Sequence, residues 1–269
     1  MAGPAVDWHK LEVSDTRFET GGLRCATVKS GHLRGRADIT FWFPDNVGEL
    51  SAVPVLLLLH GIFGSHWAWT QRAGAHLTTA AMVAAGEIPP MVLAMPSDGL
   101  WGDGTGYLTQ PRADFESWVA WDVPAVAQQL LPEKARGGPL LAAGLSMGGY
   151  GALRLAAKLG RSRFRAAAAL SAATRFDHLL EFASERSGDF ADTPQENVLD
   201  LLLANRHQLP PLHLICGAAD VLLEANRALH GALLAARIPH NYSEPPGGHD
   251  WAFWETHLPD ALRFLAAAL

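Results

Sequence analysis

Leu140-Leu141-Ala142-Ala143-Gly144-Leu145-Ser146-Met147-Gly148-Gly149-Tyr150-Gly151 is an apolar run that enters a G-x-S-x-G turn and continues into a helical pattern reaching Leu159. Leu140 to Ala143 has the character of a strand buried on both faces. A strand-to-helix turn this tight lets backbones pass closely, which requires small residues two before and two after the serine. It lifts the Ser146 hydroxyl above the sheet, and the helix that starts there aims its N–H groups and positive dipole end at the same point. A glycine-rich turn with an incidental serine would show the same five letters. The strand before it and the helix after it are what single out Ser146 as a candidate nucleophile.

Outward from this turn the chain alternates. Apolar runs at Val53 to Leu59, Met91 to Met95, Phe164 to Leu170 and Leu212 to Cys216 read as buried strands, and a shorter strand is expected near Asn241 to Glu244. Apolar residues recur at helical spacing over Ala68 to Ala85, Ser117 to Leu131, Leu222 to Ala236 and Trp251 to Ala267. This alternation predicts an α/β fold: a mostly parallel central sheet with helices on both faces. Leu23 to Lys29 and Ala37 to Phe43, separated by Ser30-Gly31-His32, predict antiparallel strands at the N-terminal edge. No repeat or linker divides residues 1–269, so one domain is expected. A short helical insertion around 177–205, carrying Pro194, breaks the rhythm and is placed over the carboxyl edge of the sheet, where open α/β folds bind ligands.

Composition narrows the function classes. The 269 residues carry 21 Lys and Arg against 27 Asp and Glu, a net charge of −6, which speaks against nucleic-acid binding. Two cysteines, Cys25 and Cys216, are too few for a disulfide scaffold or a four-thiolate zinc site and suit a reducing compartment. Met1 to Asp15 contains no apolar stretch of signal-peptide length, and Ala52 to Leu59 is too short to span a bilayer, so a cytoplasmic protein without a membrane partner is expected. There is no H-E-x-x-H and no Cys/His pair at ligand spacing, and no metal is expected.

A serine hydroxyl is a weak nucleophile at neutral pH, so a base must take its proton and an acid should orient the base. Asp220, in Gly217-Ala218-Ala219-Asp220 past a strand, and His249, in Pro246-Gly247-Gly248-His249-Asp250, fill these roles in chain order. Asp220 could instead cap the helix starting near Leu222. Asp250 is too close to His249 to orient its imidazole and is read as the cap of the last helix. His60, His66 and His257 are rival histidines, but none sits in a late glycine-rich loop. Acyl transfer generates an oxyanion, and each preorganised N–H donor for it is worth about 3–4 kcal/mol. Met147, after the nucleophile, and Ile62, in Leu59-His60-Gly61-Ile62-Phe63-Gly64, are the expected donors. His60, Phe63, Trp67, Trp101, Tyr150 and Trp251 are candidate substrate contacts; the tryptophans, with Trp69 and Trp254, would line an apolar acyl pocket or bury helix faces.

These motifs resemble the esterase D and S-formylglutathione hydrolase-like esterases of the α/β-hydrolase superfamily, which include tributyrin, feruloyl and acetylxylan esterases. The resemblance runs along nearly the whole chain and includes Pro96-Ser97-Asp98-Gly99-Leu100-Trp101-Gly102-Asp103-Gly104, Gly247-Gly248-His249-Asp250-Trp251 and the closing Trp254 to Leu265. It implies an α/β-hydrolase fold, a cofactor-free serine hydrolase with Ser146, Asp220 and His249 as triad, an oxyanion hole from the Ile62 and Met147 amides, and a homodimer. Formylglutathione hydrolases usually carry His where this chain has Leu145 and Tyr150. The sequence therefore reads as a carboxylesterase for short acyl esters, with the thioesterase and the acetylxylan or feruloyl-type carbohydrate esterase as alternatives. An acyltransferase would differ only in the acceptor, and a binding protein would have lost a member of the triad.

Overall fold

The computed structural model describes residues 6–100, 102–184, 192–193 and 195–269. Trp101 and part of the expected insertion lie outside them. The chain opens with an antiparallel meander of β1 (Trp8–Val13), β2 (Leu23–Ser30) and β3 (Gly35–Trp42). Then follow β4 (Val55–Leu59), α1 (Ala68–Ala73), α2 (Ala75–Ala84), β5 (Val92–Pro96), a small hairpin of β6 (Thr109–Gln110) and β7 (Ala113–Asp114), α3 (Phe115–Ser117) and α4 (Val123–Leu130). The second half comprises β8 (Leu140–Leu145), α5 (Met147–Leu159), β9 (Phe164–Leu170), α6 (Phe176–Leu180), α7 (Val198–Ala204), β10 (Leu212–Ile215), α8 (Leu223–Ala235), β11 (Asn241–Ser243) and α9 (Trp251–Ala266).

The main sheet has nine strands in the order β1-β2-β3-β5-β4-β8-β9-β10-β11. From β5 to β11 every pairing is parallel, and β3 joins β5 antiparallel. The Val-Leu-Leu-Leu-Leu run of β4 is continuous because both faces are covered. Val55, Leu57 and Leu59 enter the core beneath α4, α5 and α8, while Leu56 and Leu58 enter the one beneath α1, α2 and α9. The α/β hydrolase arrangement expected from the sequence is therefore present, with helices on both faces.

Three details depart from expectation. The helical pattern at 68–85 is broken at Gly74, whose φ of 55° ends α1 and starts α2. The pattern at 117–131 opens with a π-helical turn, Trp118–Asp122, before α4. Asp122 is fully buried there, accepting the Ser30 hydroxyl at 2.6 Å and the Asp7 N–H at 2.9 Å, so the turn is tied to the N-terminal strands. Strand β1 has no strong sequence signal because, as an edge strand, it buries little of its Trp-His-Lys-Leu-Glu-Val surface. Among the described residues, no helix is long and apolar enough to cross a membrane.

The insertion supplies α6 and α7, linked by an Arg175–Asn197 bridge. Its anchor is buried charge. Arg154 of α5, fully buried, donates to Glu116 at 2.8 Å and to Glu196 at 2.7 Å, and Lys158 reaches the same two carboxylates at 2.8 and 3.0 Å.

Candidate active site

Loops at the carboxyl ends of adjacent parallel strands converge on Ser146. Between β8 and α5 this residue takes φ 52° and ψ −116°, a conformation that L-residues rarely adopt. It is held by its N–H donating to the Leu170 carbonyl at 2.9 Å and by its carbonyl accepting from Tyr150 N–H at 3.0 Å. The flanking glycines are dictated by crowding. A Cβ on Gly144 would lie 2.3 Å from the Gly148 carbonyl carbon, and one on Gly148 would lie 2.2 Å from the Leu59 oxygen.

The loop after β11 brings His249 over this turn, with its Nε2 3.1 Å from Ser146 Oγ. Its Nδ1 lies 3.0 and 3.1 Å from the two oxygens of Asp220, carried by the loop after β10. An ionised carboxylate only accepts, so Nδ1 carries the ring proton and Nε2 faces the serine as an acceptor. Burial by itself would raise the Asp220 carboxyl, but the donors around it, with His249 and Leu222 N–H hydrogen-bonded to its oxygens, outweigh it and hold the group below the usual carboxylate range. Asp220 thus both caps the turn, taking Leu222 N–H at 2.7 Å, and meets the imidazole. Asp250 caps α9 by accepting Phe253 N–H at 2.9 Å. Neighbouring Cys216 is buried, which pushes its thiol up to about 12 and leaves it a packing group.

Ile62, just beyond β4, and Met147, first residue of α5, flank the serine. Among the described residues neither N–H has a hydrogen-bond partner. The loop from Asp98 to Tyr107 closes against both side chains, for a Cβ on Gly104 would meet Met147 Sδ at 2.5 Å and Ile62 Cγ1 at 3.1 Å. Asp98 organises this loop by accepting Thr105 N–H at 2.8 Å, the Thr105 hydroxyl at 2.9 Å and Leu100 N–H at 3.0 Å. The loop grips the turn after β4 at three points. Asp98 N–H donates to His60 Nε2 at 3.2 Å, the Tyr107 hydroxyl donates to the His60 carbonyl at 2.9 Å, and Phe63 N–H donates to the Asp103 carbonyl at 2.8 Å.

The candidate substrate contacts fall into two groups. Phe63 (62% exposed) and Trp67 (43% exposed) present apolar surface. Half-buried Trp251 packs edge-on against Trp69 and Trp254 and lies under the Arg72 guanidinium. His60 and Tyr150 are buried instead. His60 Nδ1–H donates to the Gly61 carbonyl at 2.7 Å, and the Tyr150 hydroxyl donates to the Glu196 carbonyl at 2.8 Å. The helical phase of α5 points Tyr150 into the core, and both side chains are bonded into the scaffold. Of the rival histidines, His66 bonds Thr40 and His257 bonds Asp260.

Sequence reasoning gave no role to Phe182, Ser171, Asp98, Thr105 or Tyr107. Phe182, from the insertion, stacks on the His249 ring at 5.5 Å between centroids and 14° between planes, and Trp254 meets the same ring edge-on at 5.1 Å. Apart from Trp101, the residues at 96–104 stand out only through the family resemblance. Ser171 follows β9 as Ser146 follows β8, a positional hint with no pattern of its own.

Comparison with known proteins places this geometry. The model of the Esterase family, described as "Putative esterase", matches residues 30–265. An acetyl esterase of Caldicellulosiruptor saccharolyticus is 25% identical over 231 residues, 78% of this chain and 82% of that protein. Among solved structures, a ferulic acid esterase superposes with a TM-score of 0.75 at 22% identity, covering 96% of this chain and 98% of that one. An S-formylglutathione hydrolase from Staphylococcus aureus does so with a TM-score of 0.75 at 18% identity, covering 91% and 98%. These structures share the fold, and the family match spans most of the sequence: the chain belongs to the Esterase family of carboxylic ester hydrolases.

Proposed function

We propose that this protein is a serine carboxylesterase that hydrolyses short-chain acyl esters through an acyl-enzyme, with Ser146 as nucleophile, His249 as general base and acid, and Asp220 as orienting carboxylate. The observation that carries this reading is the continuous chain from Asp220 through His249 Nδ1 at 3.0 Å to His249 Nε2 and Ser146 Oγ at 3.1 Å. His249 takes the Ser146 proton as Oγ attacks the ester carbonyl, and the resulting oxyanion faces the Ile62 and Met147 N–H groups. The protonated imidazole, stabilised by Asp220, then gives its proton to the departing alcohol. Water, deprotonated by the same Nε2, attacks the acyl-enzyme; collapse of the second oxyanion frees the carboxylic acid and returns the proton to Ser146. The cycle calls for no cofactor or metal.

His60 acts as support for the oxyanion turn, while Phe63, Trp67 and Trp251 supply apolar surface for the acyl or alcohol group. The acetyl esterase relative supports a small acyl group. Cys25 and Cys216 are both unpaired, which supports a cytoplasmic setting, and the family resemblance supports a homodimer, to be read by light scattering.

Initial rates across p-nitrophenyl esters, with S-formylglutathione alongside, test the substrate class. A maximum at about C2 to C6 with a slow thioester rate is the expected result. A dominant thioester rate would replace the carboxylesterase reading with a glutathione thioesterase.

A further inference from the structure

We propose that the amino-terminal edge of the sheet carries a second binding site, for a small organic phosphate, whose phosphoryl group is held by Arg161, Arg165 and Arg206 and whose apolar body lies against Pro211, Ile238 and Phe264. The site is independent of the hydrolase reading. Strands β8 to β11 are parallel, so the loops that hold Ser146, Asp220 and His249 lie at their carboxyl ends and the turns that enter β9, β10 and β11 lie at the other edge. There those turns and the end of α9 frame an open cleft of about 560 Å³, a size suited to a small molecule.

Among the described residues, the cleft is lined by three guanidiniums and no carboxylate, and none of the three arginines is paired with an acid. Arg161 Nη2 donates to the His207 and Leu209 carbonyls at 3.3 and 3.2 Å, and Arg206 Nε donates to the His207 ring at 3.3 Å. Both guanidiniums are thus held in place with most of their five N–H donors unused. Arg165, exposed on β9, has no hydrogen-bond or ion-pair partner among the described residues. Asp260, one turn before Phe264 on α9, is taken by His257 and Arg263. His240, on the cleft wall, gives its Nδ1 proton to the Ile238 carbonyl at 2.8 Å. In a chain of net charge −6, this is a local excess of positive charge that its surroundings leave unbalanced.

Oxygen count and charge select the ligand. A carboxylate offers two oxygens and one charge, which a single guanidinium fork satisfies. A phosphate monoester presents three terminal oxygens and about two charges at neutral pH, which matches three forks. The rest of the wall is apolar and fixed. The Pro211 carbonyl accepts Ala167 N–H of β9 at 3.0 Å, and the Phe264 ring packs on His213 at 4.9 Å between centroids. A bare phosphate ion would leave that surface unused, so the phosphate bears a ring or a short chain.

The test is calorimetric titration of the wild type, Arg165→Gln and Arg206→Gln with phenyl phosphate, inorganic phosphate and benzoate. Both arginines are exposed and lie outside the catalytic groups, so the variants are expected to fold and to keep the parent's turnover of p-nitrophenyl acetate. One phenyl phosphate per chain is expected to bind the wild type more tightly than either other probe, with affinity down about tenfold in each variant and falling as salt is raised. No saturable binding of phenyl phosphate, or binding undiminished in both variants, would overturn the proposal. Benzoate bound as tightly would overturn the phosphoryl head, and inorganic phosphate bound as tightly would overturn the apolar body. Association with phosphatidic acid vesicles but not with phenyl phosphate would overturn the soluble ligand. The titration needs no turnover, so a wild-type protein inert toward esters would contradict the hydrolase reading while this measurement still decided the second site.

Discussion

Tyr107 and His60, 47 positions apart, are joined by a hydrogen bond of 2.9 Å from the phenol to the His60 carbonyl, inside the turn that carries the Ile62 N–H. Burial raises the phenol well above its usual range, so it stays protonated and a donor at neutral pH. The turn that carries the Ile62 N–H is therefore held from outside by the loop from Asp98 to Tyr107.

Removing that hydroxyl leaves a buried carbonyl unpaired. Tyr107→Phe is expected to cost about 1–3 kcal/mol of stability in urea unfolding and to lower kcat more than it raises KM. A variant as stable and as active as the parent would show that the loop does not hold the turn.

The Arg154 cluster makes stability depend on acid. Burial pushes Glu196 up, but Arg154 and Lys158 prevail and hold its carboxyl below the usual 4.5. A carboxyl depressed in the folded state adds stability that is complete above the unfolded value and lost as pH falls through the folded one. Glu196→Gln should thus be less stable at neutral pH and flatten the acid side of the stability curve below about pH 4.5. Arg154→Ala, which strands two carboxylates with Lys158 alone, should cost about 3–5 kcal/mol. Denaturant midpoints across pH check both.

Phe182 lies parallel to the His249 ring. Phe182→Ala removes a stacking partner worth about 0.5–1.5 kcal/mol, and a fall in kcat of about twofold to tenfold is expected. Steady-state kinetics at fixed pH decide this, with unchanged kcat arguing that the contact is incidental.

The parts of this molecule that were legible in the sequence share one property: a local rule writes them into consecutive residues. Ser146 and its glycines were found because backbone crowding at one turn dictates Gly144 and Gly148, and β4 because burial on both faces demands an unbroken apolar run. The π-helical turn at 118–122 is illegible, since the partners that tie Asp122 down, Ser30 and Asp7, lie over ninety positions away. The burial of Tyr150 is not legible either, because proximity to the nucleophile in sequence says nothing about helical phase, which turns its ring into the core. Phe182 and, by way of Trp254, Ser171 reach the site through tertiary contacts alone.

The central claim is that Ser146 is the acylated nucleophile. Peptide mass mapping after reaction with a fluorophosphonate, alongside p-nitrophenyl acetate turnover by the wild type and Ser146→Ala, tests it most directly. The account predicts one phosphonyl group per chain, on Ser146, with turnover and labelling both absent from a folded Ser146→Ala. Labelling elsewhere, or ester hydrolysis surviving in that variant, would contradict it.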